Sequence, residues 1–221
     1  MLILGIDSSD DFISVGLMGD DGIIASQASD LSGQNKNMLH EAISQLMREN
    51  GLEMQMLNGV AVALGPGSFT GLRVGLAVAK GISWSLKIPL VGISSLMAIA
   101  ACSSIESGKI LALKDARRDE FYFAGFTKNA DTLFQEIPDS VGSFEDVDKV
   151  RSKGFIPAGP GVPAFGKKYK EEIEKILIDI DQIGGAIAKL GMQKIIGGDI
   201  LDTASVVPHY IRAPKAKVWN H

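Results

Sequence analysis

The chain has 221 residues, 46% of them apolar, a formal net charge of -4 and a sequence pI ≈ 5.4. That length allows one large domain or two small lobes around a sizeable core. The interspersed charges exclude capture of nucleic acid by bulk electrostatics, so any RNA contact is expected to be local. A single cysteine, Cys102, excludes an intramolecular disulfide, and its Ala-Ala-Cys setting reads as buried rather than reactive. No apolar run reaches the ~20 residues of a membrane span, and Met1 to Asp7 reads as a strand rather than a secretory signal. A cytoplasmic location is the expectation.

In chain order, Leu2 to Ile6 and Phe12 to Met18 are apolar runs joined by Asp7-Ser8-Ser9-Asp10-Asp11, which predicts a strand, a polar turn and a returning strand. A third strand is expected over Ile23 to Ala28. From Gln34 to Asn50, Leu39, Ile43, Leu46 and Met47 recur at helical spacing, and Gly51 stands where a helix end favours positive φ. Val60 to Leu64 reads as a buried strand, Gly65 to Thr70 as a tight loop, and Gly71 to Leu86 as a mostly apolar helix with Thr70 or Ser68 as its cap. After Pro89 comes another short strand, Leu90 to Ile93. The small, polar stretch Ser103 to Lys109 marks a boundary, giving lobes over 1–105 and 106–221.

The second half opens by echoing the first. Asp7, Asp10, Phe12 and Gly16 align with Asp115, Asp119, Phe121 and Gly125, and Gly65-Pro66-Gly67 is repeated as Gly159-Pro160-Gly161. Two similarities in one order point to a duplicated α/β lobe, although each alone is ordinary turn chemistry. Such a plan is similar to that of actin-like and sugar-kinase-like phosphotransferases, whose lobes have an RNase H-like fold and hold a nucleotide between them. That likeness fixes no function.

A strand, Gly-Pro-Gly-Ser-Phe-Thr-Gly and a helix make a geometry that suits an anion or simply a capped helix entry, since free N–H groups point outward at the helix start. The full string Gly65-Pro66-Gly67-Ser68-Phe69-Thr70-Gly71-Leu72-Arg73 is more specific. With Ile6-Asp7-Ser8-Ser9, Asp115 to Tyr122 and Pro208-His209-Tyr210-Ile211-Arg212, it closely resembles the TsaB (YeaZ) family. The resemblance implies a non-catalytic subunit in formation of N6-threonylcarbamoyladenosine in tRNA, which binds the related catalytic subunit TsaD, with the ATPase TsaE joining the pair. It implies a homodimer when the chain is alone, and tRNA contact that is indirect or auxiliary. The sequence departs from the family at Gln34, where a histidine is usual, and at Met38-Leu39-His40, which replaces a Leu-Leu-Pro-like step.

Catalytic sets are poorly supported. In the TsaD relatives two histidines four apart hold a metal; the matching positions here are Ser95 and Ile99, and Ile99 cannot ligate one. His40, His209 and His221 are not spaced for chelation, and His40 reads as an exposed helix residue. Ser68 lacks both a Gly-x-Ser-x-Gly elbow and a recognisable base. Gly161 to Lys168 mimics a phosphate-binding loop, but Lys168 has no hydroxyl for Mg²⁺ and Pro163 removes a donor. No cofactor is expected. The alternative is a weak ATP-binding enzyme or nucleotide sensor, with Asp7, Ser8, Gly65, Gly67, Ser68 and Asp115 forming the vestigial nucleotide loops and Asp7 and Asp115 holding a hydrated cation. Arg117 and Arg118 read as a solvated turn or as phosphate contacts. The tail residues Arg212, Lys215 and Lys217 would give at most a few phosphate contacts.

On the second long helix Gly71, Gly75 and Ala79 recur every four residues, leaving a bare face that suits close approach within the chain or by another helix. Methionines on the first helix suit adaptable contacts. The resemblance puts the partner surface on these two helices, at Met38, Leu39, Ile43, Met47, Gly71, Arg73, Gly75, Ala79 and Ile82.

Overall fold

The computed structural model describes residues 1–30, 38–130, 132–169 and 172–212. Gln34, Lys215, Lys217, His221 and the side chain of Met38 lie outside the described residues.

Two mixed sheets carry the fold. The first contains β1 (Ile3–Asp7), β2 (Phe12–Gly19), β3 (Gly22–Asp30), β4 (Gly59–Gly65) and β5 (Leu90–Ser94), in the order β3-β2-β1-β4-β5. The second contains β6 (Ser107–Asp115), β7 (Glu120–Asn129), β8 (Thr132–Ser143) and β9 (Ile156–Ala158), in the order β8-β7-β6-β9. In both, three antiparallel strands form a meander and the fourth runs parallel to the first. A helix follows the third strand in each lobe, α1 (Met38–Glu49) and α4 (Phe144–Arg151), and another follows the fourth, α2 (Phe69–Leu86) and α5 (Val162–Gly166). The lobes are duplicates in topology. The second lobe is the reduced copy: β9 has 3 residues against 7 in β4, α5 has 5 against 18 in α2, and the fifth strand shrinks to a single parallel bridge between Ala158 and Ile176.

The sequence echo is in register on one strand and out of register on the other. Asp7 and Asp115 each end the first strand, and each carboxylate accepts the N–H two residues on, from Ser9 and Arg117, at 2.7 Å. On the returning strand, however, Asp7 pairs with Ser14 whereas Asp115 pairs with Phe121. Phe121 therefore corresponds to Ser14 rather than Phe12, a slip of two residues that keeps the same face inward.

Two helices exchange lobes. The helix α3 (Ser95–Ala101) follows β5, yet Leu96, Ile99 and Ala100 pack with Ile110, Ala124 and Phe126 of the second sheet. The helix α6 (Ile183–Ile196) comes from the second half, yet Ile183, Ile187, Ala188 and Met192 cover Ile3, Ala61, Ala63, Val91 and Ile93 of the first. Gly5 and Gly16 make that docking possible: a Cβ on Gly5 would lie 2.1 Å from the Gly184 carbonyl, and one on Gly16 2.2 Å from the Gly185 nitrogen. The opposite face of the first sheet is covered by α1 and α2. Among the described residues no helix is long and apolar enough to cross a membrane.

The structure corrects the reading of the bare face on α2. A Cβ on Gly71 would lie 1.9 Å from the Ser8 carbonyl oxygen and one on Gly75 2.3 Å from Ser8 Oγ, while Ala79 is fully buried. The glycines let α2 press onto the turn after β1, so this face points into the chain. Leu39, Ile43 and Met47 are buried in the same core, and Ile82 packs against it half-buried. Of the nine residues expected at a partner surface, Arg73 alone is exposed among those described in full.

Candidate functional site

The lobes meet at a cleft of about 580 Å³ bounded by the β1–β2 turn, the start of α2, the β6–β7 hairpin and the segment 209–212. Of the loop residues expected there, Gly67, Ser68 and Asp115 line it. Asp7, Ser8 and Gly65 lie behind the wall. Asp7 is 2% exposed and its carboxylate is taken up by the Ser9 N–H; Ser8 Oγ donates to the Gly71 carbonyl at 2.8 Å. Gly65, at φ 118°, sits beneath His209, whose carbonyl oxygen a Cβ would approach to 2.8 Å. Asp7 thus caps the β1–β2 turn and, unlike Asp115, is not among the residues that line the cleft.

Ser68 caps α2 by accepting from the Gly71 N–H at 3.3 Å, and its own N–H donates to Ser9 O at 2.8 Å. Across the cleft, Arg117, Arg118 and Asp119 all take positive φ, near 60°. Three successive non-glycine residues in this region make a hairpin tight enough to project both arginines, at a cost of roughly 1 kcal/mol or more each. Arg117 pairs with Asp11 at 2.7 Å and with Asp115 at 3.7 Å; the hydrogen bond to Asp11 is the main cause that raises its pKa.

Two further sets of contacts were not anticipated from the sequence. Lys114, the penultimate residue of β6, is 3% exposed and reaches across to the β1–β2 turn, donating to Ser9 O at 3.0 Å and Ser9 Oγ at 2.6 Å, with Asp10 at 3.4 Å. A lysine directly after the apolar run Ile110 to Leu113 was the available signal. The Pro208 to Arg212 segment folds back onto the start of α2. Tyr210 stacks on Phe69 with ring centroids 4.5 Å apart, and Arg73 lies 3.8 Å above Phe69 while donating to the Tyr210 hydroxyl at 3.0 Å. Two motifs some 140 residues apart in sequence thus form one aromatic–guanidinium cluster.

Beside the cleft, Ser94 Oγ donates to Asp139 of β8 at 2.6 Å while capping α3. Burial raises the Asp139 carboxyl pKa, partly offset by hydrogen bonds from Ser94 and Gln135. Ser95 and Ile99 are buried on α3, and among the described residues no three His, Cys, Asp or Glu side chains are grouped to hold a metal. Lys168, the last residue of the mimicked phosphate loop, pairs with Asp119 at 3.5 Å instead.

Sheet order, duplication and interlobe cleft define a two-lobed actin-like α/β protein. The same fold appears in YeaZ from Pseudomonas aeruginosa, at TM-score 0.77 and 20% identity over 95% of this chain and 99% of that one. It appears more distantly in an activator of 2-hydroxyisocaproyl-CoA dehydratase from Clostridium difficile with bound ADPNP, at TM-score 0.54 and 13% identity over 90% and 97%. The chain belongs to the TsaD family of tRNA N6-adenosine threonylcarbamoyltransferases, which residues 22–193 match, and within it stands with the TsaB (YeaZ) type. It is 29% identical to the tRNA threonylcarbamoyladenosine biosynthesis protein TsaB of Bacillus subtilis over 98% of this chain and 96% of that protein. The Escherichia coli protein of the same name is 29% identical over 61% of this chain and 58% of its own length.

Proposed function

We propose that this chain is a non-catalytic subunit in formation of N6-threonylcarbamoyladenosine in tRNA, pairing with a TsaD-type catalytic subunit that a TsaE-type ATPase joins. The observation that carries the reading is the end-to-end likeness to Bacillus subtilis TsaB. Support for a non-catalytic role comes from Ser95 and Ile99, which stand buried where the resemblance expects metal ligands.

The partner surface is the outward face of α2, not the inward one. Val74, Ala77, Gly81 and Trp84 follow one another at helical spacing and are all exposed, Trp84 at 81%. Among the described residues a Cβ on Gly81 would meet nothing within 4 Å, so no packing among them accounts for a glycine that costs roughly 1 kcal/mol relative to alanine. Close approach by a helix of another chain accounts for both the glycine and the uncovered tryptophan. The same face would pair two copies when the catalytic subunit is absent.

The test is co-purification with the TsaD-type protein of the same cell, followed by a threonylcarbamoylation assay with and without this chain. Modification that proceeds equally well without it would overturn the reading. The second reading, a nucleotide sensor, is favoured by the cleft volume alone, and titration of the isolated chain with Mg-ATP separates the two.

A further inference from the structure

At the front of the cleft, the lobes are joined by the chain's own side chains. Lys114 extends from the second lobe into the first with its ammonium between Ser9 and Asp10. Asp10 Oδ2 is buried and accepts no hydrogen bond among the described residues, where the ion pair with Lys114 is what meets its charge. Withdrawing the lysine would leave the Asp10 carboxylate without its counter-ion and the Ser9 hydroxyl without its donor, which resists separation of the lobes.

A second tie crosses the mouth. The His209 N–H donates to Leu64 O at 2.7 Å and Tyr210 stacks on Phe69, both in the first lobe. Two residues on, Arg212 donates to Ala116 O at 3.2 Å and pairs with Glu120, both in the second. The segment 208–212 is therefore a strap anchored at both ends.

We infer that Lys114 and this strap form an internal clasp that fixes the angle between the lobes, so that the chain itself, and not a ligand bridging the cleft, sets its shape. A ligand can shift a two-state equilibrium only by binding one state better, and a clasped cleft offers it a single state. The clasp does not depend on the partner surface, since it lies at the start of α2 and across the cleft, while Gly81 and Trp84 lie toward the helix end.

The experiment places spin labels at cysteines introduced at Thr70 and Lys153, exposed positions in different lobes, in a Cys102→Ser background of the full chain. Pulsed dipolar spectroscopy should give one narrow distance that millimolar Mg-ATP does not move. Lys114→Met, and separately a chain ending at Val207, should each broaden or shift it while far-UV circular dichroism and a cooperative melt report a folded protein. If Lys114→Met does not fold, Asp10→Asn, which leaves the lysine its Ser9 bonds, should still broaden the distance. A native distance that is broad or follows Mg-ATP overturns the clasp, as does a narrow, unmoved distance in the folded variants.

Discussion

Cys102 follows α3 and is half-buried rather than fully buried as its Ala-Ala-Cys setting suggested; its thiol is nevertheless pushed up to about 12, first by desolvation and then by the charges of Asp7 and Asp179. The thiolate is the reactive form, so at pH 8 its population falls roughly a thousandfold below that of an ordinary thiol. Ellman's reagent should leave the native protein nearly unlabelled for hours and modify it at once in guanidinium; fast labelling of the native state would contradict the assignment. Asp139 offers a test of opposite character. Burial holds its folded pKa above the unfolded value, so the stability it contributes is complete below the unfolded pKa, near 3.9, and is lost as pH rises through the raised folded pKa. Asp139→Asn keeps an oxygen to accept from Ser94 and removes the buried charge. It should melt higher than the native chain at pH 7, with the difference shrinking toward pH 4. At this scale the sequence was readable where chemistry is local: Asp7 and Asp115 looked like turn residues and cap turns in the same way. Lys114 was not readable, because the Ser9 and Asp10 groups that explain it lie over 100 residues away.

For α2, existence and length were legible from composition, and the Ser68 cap was among the expected ones. Its rotation was not. Apolar residues run almost all round the helix, so periodicity carries no phase, and a bare glycine face is equally compatible with a neighbour inside or outside the chain. The turn after β1 takes the inner position, which separates two substitutions that look alike in sequence. Gly75→Arg drives a side chain into Ser8 and should fail to fold or lose at least about 1–3 kcal/mol, the usual cost of overpacking. Gly81→Arg points into open space and should fold with an unchanged or slightly higher melting temperature, because replacing a mid-helix glycine gains up to about 1 kcal/mol. It should nevertheless abolish capture of the TsaD-type subunit in a pull-down. Trp84→Ala should weaken that capture by about 2 kcal/mol, some thirtyfold, as for an aromatic anchor. Unaltered capture by both variants would move the partner surface elsewhere.

The whole molecule is two copies of one sheet plan, and the strand order shows the duplication more clearly than the residues do, because the echo survives on β1 and β6 and slips on β2 and β7. The division near residue 105 separates the strands of the two sheets, but not the helices that cover them. A linear reading assigns α6 to the lobe in which its residues fall; its place against the first sheet depends on Gly5 and Gly16, which give no sign of their partner in sequence. This has a consequence for cutting the chain. Ile183, Ile187 and Met192 are buried against the first sheet, each worth about 1.5–3 kcal/mol, so their sum of about 4.5–9 kcal/mol is comparable with the roughly 5–15 kcal/mol that stabilises a whole domain. A fragment spanning residues 1–105 would expose Ile3, Val91 and Ile93 to water and should not hold its fold, although it contains every strand of its sheet. It should bind a hydrophobic dye such as ANS and lack a cooperative melt. Supplying residues 172–221 as a separate chain should restore part of the transition, and replacing Gly184 with leucine in that second chain should prevent the rescue, since its Cβ would enter the backbone of Val15. A 1–105 fragment that melts cooperatively alone would show that α1 and α2 suffice to hold the first lobe.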